Sequence, residues 1–327
     1  PIPSRGLGDV YKRQGEDISC HGASDGIIEI TVFGGTSNGG DYTYLLNNVI
    51  FGSGPSPYSV TSLSDNTYGV VVQDDNGCTT ASTPITLTEP PILSITNAYV
   101  SVGISCNGLS DGEITIDAQG GTGVYQYSSD NGLSYVSSSV FGSLGDNSYF
   151  CYVMDDNGCN TGPSIVDLIE PSVLILNSAA VTSDFNGMQT SCDGSSDGEI
   201  TILASGGTPN YNYSVTGSAP FFSSNVISGL QAGNYDVVVQ DANGCETNLG
   251  AMNLNITSPS AINASSAVTS NYNGEDISCN GYSDGEITII TTGGTGTVYT
   301  YMLPTANYNG ASPHLVNNLS AGSYPIT

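Results

Sequence analysis

Thr190-Ser191-Cys192-Asp193-Gly194-Ser195-Ser196-Asp197-Gly198-Glu199-Ile200 decides the fold, because it recurs. The pattern Ile/Thr-Ser-Cys-x-Gly-x-Ser-Asp-Gly stands four times, with its cysteine at Cys20, Cys106, Cys192 and Cys279, spaced by 86, 86 and 87 residues. A second signature trails it: Leu-x-x-x-x-Tyr, a hydrophobic alternation, then Asp-x-Asn-Gly-Cys. It runs through Leu63, Tyr68 and Cys78, through Leu144, Tyr149 and Cys159, and through Leu230, Tyr235 and Cys245. A fourth copy begins at Leu319 and Tyr324, and its cysteine is expected seven residues past Thr327. Self-similarity at this period predicts one small domain per repeat and a fragment of a longer tandem array.

Within the third repeat, Val173-Leu174-Ile175-Leu176 reads as a first strand, and Asp197-Gly198 as a turn into the strand Glu199 to Ala204. Gly206-Gly207-Thr208 breaks that strand, and Tyr211-Asn212-Tyr213 opens the next. Tyr235 to Gln240 alternates with Tyr235, Val237 and Val239 inward, and Asn243-Gly244 predicts a type I′ hairpin into a last strand near Met252 to Thr257. The Leu-x-x-x-x-Tyr entry resembles a tyrosine corner. About seven strands in roughly 85 residues predict an all-β chain of tandem immunoglobulin-like β-sandwich domains, closely abutted as beads on a string. Pro90-Pro91, Pro171 and Pro259 mark the exits. The expected division is 1–14 as a foreign or assembly-junction segment, 15–90 as repeat 1 without its first strand, 91–171 as repeat 2, 172–259 as repeat 3 and 260–327 as a truncated repeat 4.

All three bases, Arg5, Lys12 and Arg13, lie before Gly15, so the repeats carry acid groups and neither Lys nor Arg. That excludes nucleic acid as a partner and disfavours contact with anionic membranes. Eight regular cysteines point to an oxidising, extracytoplasmic setting. The regular spacing favours pairing inside each repeat: Cys20–Cys78, Cys106–Cys159 and Cys192–Cys245. The rival is pairing across neighbours, such as Cys78–Cys106 or Cys245–Cys279, because in an immunoglobulin-type Greek key the two cysteines could sit at opposite ends. Cys151 takes the place of Val70 and Val237 and reads as a buried structural thiol.

Chemistry finds little foothold. His21 and His314 occupy unrelated positions, and no nucleophile elbow occurs, so an enzyme is not expected. Two acidic clusters recur, Asp25, Asp111, Asp197 and Asp284, and Asp74, Asp155 and Asp241. They are candidate Ca²⁺ ligands, although Asp-Gly and Asp-x-Asn-Gly are ordinary turn formers and account for them without a metal. Phe51, Tyr58, Tyr135, Phe221, Phe222 and Tyr308, in the segment that varies most between repeats, are candidate ligand-binding aromatics, with core packing as the alternative.

Taken together, Cys-x-Gly-x-Ser-Asp-Gly-x-Ile, Gly-Gly-Thr-x-x-Tyr-x-Tyr, Leu-x-Ala-Gly-x-Tyr-x-Val-x-Val-x-Asp-x-Asn-Gly-Cys and the proline exit resemble the SprB repeat, most fully in Cys192 to Pro259. The resemblance implies a very large cell-surface adhesin of gliding and other Bacteroidetes, exported by type IX secretion and associated with the outer membrane. The expected role is a non-enzymatic extracellular stalk that contacts its own neighbouring repeats. The alternatives are an array that itself binds extracellular polysaccharide or surface ligands, and spacer domains of a long secreted hydrolase.

Overall fold

Short apolar alternations bounded by Gly, Asn and Asp turns give strands throughout, and the structure, a computed structural model, holds no helix among its described residues, which are 10–11, 17–37, 39–304 and 306–327. The chain divides into two compact units, Pro1–Glu170 and Pro171–Thr327.

In the first unit, repeat 1 comprises β1 (Val10–Tyr11), β2 (Gly26–Ile30), β3 (Asp41–Leu46), β4 (Val49–Pro55), β5 (Tyr58–Leu63), β6 (Asn66–Gln73) and β7 (Thr83–Leu87). These form one sheet in the order β1-β2-β5 and another in the order β4-β3-β6-β7. Of the leading segment only Val10 and Tyr11 are described, and they pair with Ile30 and Glu29, so two of its residues stand where a first strand was expected to be missing. Repeat 2 comprises β8 (Ser94–Val102), β9 (Gly112–Gln119), β10 (Gln126–Ser128), β11 (Val140–Leu144), β12 (Asn147–Met154) and β13 (Ser164–Leu168), in sheets β11-β9-β8 and β10-β12-β13.

The second unit repeats the plan. Repeat 3 comprises β14 (Ile175–Val181), β15 (Gly198–Ser205), β16 (Asn212–Ser214), β17 (Val226–Leu230), β18 (Gly233–Gln240) and β19 (Glu246–Ile256), in sheets β14-β15-β17 and β16-β18-β19. Repeat 4 comprises β20 (Asn263–Val268), β21 (Gly285–Thr292), β22 (Val298–Met302), β23 (Asn307–Ala311) and β24 (His314–Leu319), in sheets β20-β21-β24 and β22-β23. First, second and fourth strands in one sheet, with third, fifth and sixth in the other, is the two-sheet immunoglobulin-type arrangement. Repeats 2 and 3 therefore have six strands rather than seven; a seventh, β4 in repeat 1 and β23 in repeat 4, comes from the segment that varies most.

Both sheets of a repeat fill one core. In repeat 3, Ile200 and Ile202 from β15 meet Tyr213 from β16 and Val215 just after it, Val237 and Val239 from β18, and Ile256 from β19. Each such aliphatic side chain, fully buried, contributes roughly 1.5–3 kcal/mol. Cys151 lies at the matching place in repeat 2, fully buried among Ile114, Ile116, Val153 and Val166. Burial pushes its thiol up to about 11.

Two tyrosines per repeat tie the ends of the sandwich. Tyr68, Tyr149, Tyr235 and Tyr324 each donate to the carbonyl four residues upstream, at 3.1, 3.0, 2.8 and 2.8 Å, which is the tyrosine corner. Tyr42, Tyr125, Tyr211 and Tyr299 donate to the first glycine of the Gly-Gly turn, on Gly34, Gly120, Gly206 and Gly293, at 2.7 to 3.0 Å.

Candidate functional site: a cysteine joint between consecutive repeats

The first signature folds into a loop with the same hydrogen bonds in every repeat. The backbone N–H of Ser19, Ser105, Ser191 and Ser278 donates to Asp25, Asp111, Asp197 and Asp284, at 3.0 to 3.2 Å. Serine donors hold the carboxyls of Asp111, Asp197 and Asp284 below the usual range. Each cysteine carbonyl then closes a four-residue turn, accepting from the N–H of Ala23, Leu109, Ser195 and Tyr282 at 3.0 to 3.1 Å. The third residue of that turn is a glycine with φ between 73 and 88°, as a type II turn requires.

The exit strand seals this loop in the first unit. Glu89 accepts from Gly22 N–H at 2.6 Å and pairs with His21 Nδ1 at 2.8 Å. Glu170 accepts from Gly108 N–H at 2.6 Å and from the Asn107 side chain at 2.8 Å. These glutamates were not singled out from sequence; the signal was Glu-Pro, at Glu89-Pro90 and again at Glu170-Pro171.

The second signature makes the opposite half. Asp74 Oδ1 accepts the N–H of Asn76 and Cys78, Asp155 Oδ1 those of Asn157 and Cys159, and Asp241 Oδ1 those of Asn243 and Cys245, at 2.8 to 3.1 Å. The other oxygen accepts from Thr36, Thr122 and Thr208, which anchors the turn to the Gly-Gly loop. The expected type I′ hairpin does not form. Gly244 N–H reaches the Asp241 carbonyl, Asp241 N–H reaches the Cys245 carbonyl, and only Gly244 has positive φ, at 85°. The bond from Asn243 N–H to the Asp241 carboxylate holds Asn243 in the right-handed region, which gives a type I turn closed by a glycine bulge.

The two halves meet across repeats. Cys20, in the first loop of repeat 1, bonds Cys159, on the turn of repeat 2, with Cα atoms 5.8 Å apart and a sequence separation of 139. The Asn157 side chain donates to the Ser19 carbonyl at 2.9 Å alongside. The expected Cys20–Cys78 and Cys106–Cys159 pairs are therefore corrected, and Cys192–Cys245 does not form because Cys192 is a free thiol. The neighbour pairs Cys78–Cys106 and Cys245–Cys279 do not form either, since Cys78 and Cys279 are free. The reason is geometric. Inside a repeat the loop and the turn lie at opposite ends of an eight-residue strand such as β6, about 27 Å, while a disulfide needs Cα atoms within about 7 Å.

The other candidates separate. Among the described residues no group of three or more His, Cys, Asp or Glu is arranged to hold a metal ion, and the clustered carboxylates accept from backbone N–H groups and, at Asp111, from the Ser105 hydroxyl. Tyr58 stacks on Tyr44 at 4.3 Å and packs on the repeat 1 core, and Tyr308 packs on the repeat 4 core beside His314. The Tyr135 hydroxyl donates to Asn160 at 3.0 Å. Phe51 and Phe222 are exposed and Phe221 half-buried, so no repeat assembles a shared aromatic platform from its own candidates.

Similar solved structures are arrays of small domains. Fibronectin(III)-like modules of Clostridium thermocellum CbhA are 16% identical over 50% of this chain and 94% of theirs, with a TM-score of 0.25. A tetra-tandem repeat from the extending region of a large adhesion protein is 13% identical over 95% of this chain and 90% of its own, with a TM-score of 0.27. Domains 4–9 of surface layer protein SbsC are 13% identical over 91% and 58%, with a TM-score of 0.23. No functionally curated protein matches the chain. The SprB repeat family matches residues 15–50, 98–134, 188–220 and 271–307, each segment holding one cysteine loop, its second strand and its Gly-Gly turn: the chain carries four segments that match the SprB repeat.

Proposed function

We propose that these repeats are the non-enzymatic, extracellular stalk of a bacterial surface adhesin, holding a binding region away from the cell and carrying load to it. The observation that carries this reading is the Cys20–Cys159 bond, which makes the junction between consecutive domains covalent rather than a flexible linker. A disulfide also needs an oxidising compartment, so it supports a place outside the cytoplasm. The repeat sequence, devoid of Lys and Arg from Gly15 onward, supports mutual repulsion of neighbouring modules and solubility of a long array. The loop and turn carboxylates are spent on fixing backbone, which supports scaffolding over catalysis. Type IX export, gliding and an outer-membrane location are proposed for the parent protein on the SprB resemblance alone.

The test is a swap in the parent protein on its own cells. Replacing the four repeats with four unrelated immunoglobulin-like domains should leave adhesion unchanged, and deleting them should weaken it. Adhesion lost in the swap as well as in the deletion would mean that the repeats grip a surface ligand themselves, and the stalk reading would fall.

A further inference from the structure

One position of the second-signature turn differs between repeats, and a groove opens where it does. The residue after the turn aspartate is Asp75 in repeat 1, Asp156 in repeat 2 and Ala242 in repeat 3. Asp156 and Ala242 stand at the same place, because their N–H groups donate to the carbonyls of Thr122 and Thr208 at 3.2 and 3.1 Å. In repeat 2 the Asp156 carboxylate turns back and accepts from Val124 N–H at 3.0 Å. Gly123 leaves room for it, since an added Cβ there would lie 2.1 Å from the carboxylate oxygen. Repeat 3 has Pro209 and Asn210 at those two positions, and Ala242 brings no carboxylate. Among the described residues the Asn210 N–H has no hydrogen-bond partner.

The groove encloses about 580 Å³, and its lining includes Asn210, Tyr211, Asn212, Ser223, Asn225 and Ala242. That volume lies within the range of small-ligand sites. Its walls are fixed from within the repeat. Tyr213 and Phe222 exchange N–H to carbonyl bonds at 2.8 Å each way, and the Tyr211 hydroxyl donates to Gly206 at 2.7 Å. Among the described residues the side chains of Asn210, Asn212 and Ser223 have no hydrogen-bond partner. Asn225 donates from its amide nitrogen to the Ile202 carbonyl at 3.3 Å, which leaves its amide oxygen as an acceptor.

The lining selects the ligand by its chemistry. It holds no charged side chain, and an anion would also meet a chain of formal charge −27. A cation finds no carboxylate there, because Asp241 spends both oxygens on backbone N–H groups. An apolar ligand would strip water from the amides and give them no partner. A polyhydroxylated neutral molecule meets every group: its hydroxyls accept from the asparagine N–H groups and donate to Asn225, and a pyranose C–H face suits a tyrosine ring.

We propose that repeat 3 binds a neutral saccharide in this groove, with a sugar hydroxyl taking the place on Asn210 N–H that the Asp156 carboxylate takes on Val124 N–H in repeat 2. One sugar unit in so open a site should bind with a Kd on the order of 1 mM. A contact of that strength in one repeat adds to an array without carrying its adhesion, so this inference stands or falls separately from the stalk reading.

The test titrates the intact, isotope-labelled chain with neutral tetrasaccharides of glucose, mannose, galactose and N-acetylglucosamine, and with tetragalacturonate as the acidic comparison, followed by amide NMR. At least one neutral sugar should shift the Asn210 backbone amide and the side-chain amides of Asn210 and Asn212, saturably. Ala242→Asp, which supplies the residue of repeat 2, should abolish the shifts. Asn210→Gly combined with Asn212→Ala should weaken binding about tenfold; glycine keeps the backbone at φ 81° while removing the amide. Unchanged resonances of Ile200 and Val239 in the core show that each variant is folded. The proposal is overturned by no saturable shift with any neutral sugar, by shifts confined to other residues, by binding of the acidic sugar alone, or by binding that both variants leave unchanged.

Discussion

At the scale of single residues, the fold depends on backbone positions that only a few side chains can occupy. Gly206 has φ near 76°, and a Cβ built on it would lie 1.9 Å from the Val173 carbonyl oxygen. Gly120 and Gly293 meet the carbonyls of Ile92 and Ala261 at 1.9 and 2.0 Å, so the same approach of first strand to Gly-Gly turn recurs. Gly206→Ala should cost upwards of about 2 kcal/mol, combining left-handed strain with a clash against backbone. Gly187→Ala has the strain alone, with φ 87° and open space around the added carbon, and should cost about 1 kcal/mol. Denaturant midpoints of the two variants compare them directly; equal losses would mean that the close approach adds nothing. Asp130 supplies a pH test. It accepts from Ser128 Oγ at 2.6 Å, from the N–H of Leu133 and Ser134 at 3.1 and 3.0 Å, and from the Ser134 hydroxyl. These donors, led by the two hydroxyls, hold its carboxyl at about 2. Because the folded value lies below the unfolded one near 3.9, the loop's stabilisation is complete above about pH 4 and fades as pH falls toward 2. A carbon-detected titration of Asp130 should show a midpoint near 2, and Asp130→Asn should remove the accompanying shift of the Ser134 amide. A midpoint near 3.9 would contradict the hydrogen-bond set.

At the scale of elements, alternation was enough to find the strands. Tyr235, Val237 and Val239 face the core as expected, and Leu-x-x-x-x-Tyr gave the tyrosine corner, because both are local patterns with one geometric solution. Cys151 follows the same logic, and its consequence is testable. In the native chain Ellman's reagent should modify Cys78, Cys192 and Cys279, while Cys151, fully buried with a thiol near 11, should react only on unfolding. Cys151→Val, which restores the residue of repeats 1 and 3, should stay within about 1.5 kcal/mol of the parent. Cys151→Ser should cost about 1–3 kcal/mol through a buried hydroxyl without a partner. Fast labelling of Cys151 in the native state would contradict its place in the core. What the sequence concealed was of longer range. The partner of Cys20 lies in another repeat, and spacing within one repeat suggested the wrong pairing because it carries no information on which end of the sandwich a loop occupies. The hairpin type turned on a side-chain bond from Asp241 that the Asn-Gly pair alone does not reveal.

At the scale of the first compact unit, the Cys20–Cys159 bond changes where tension travels. Load entering before Cys20 crosses the disulfide to Cys159, a Cα step of 5.8 Å, and by-passes the stretch between them, a sequence separation of 139. That stretch holds the second strand of repeat 1 onward, the linker, and every strand of repeat 2 except β13. Its contour when fully extended is about 470 Å. Closing so long a loop also removes unfolded-state entropy worth about 5 kcal/mol in the chain-entropy model. Single-molecule pulling with handles at Gln14 and Pro171 separates the two states. The oxidised chain should yield only the short segments outside the loop. Reductant should add about 470 Å of released contour, less the folded dimension it replaces. Cys159→Ser should release the same length without reductant, which separates the bond itself from any general effect of the reducing agent. Equal extension in all three cases would mean that tension does not pass through this bond and that the repeats unfold under load as independent links.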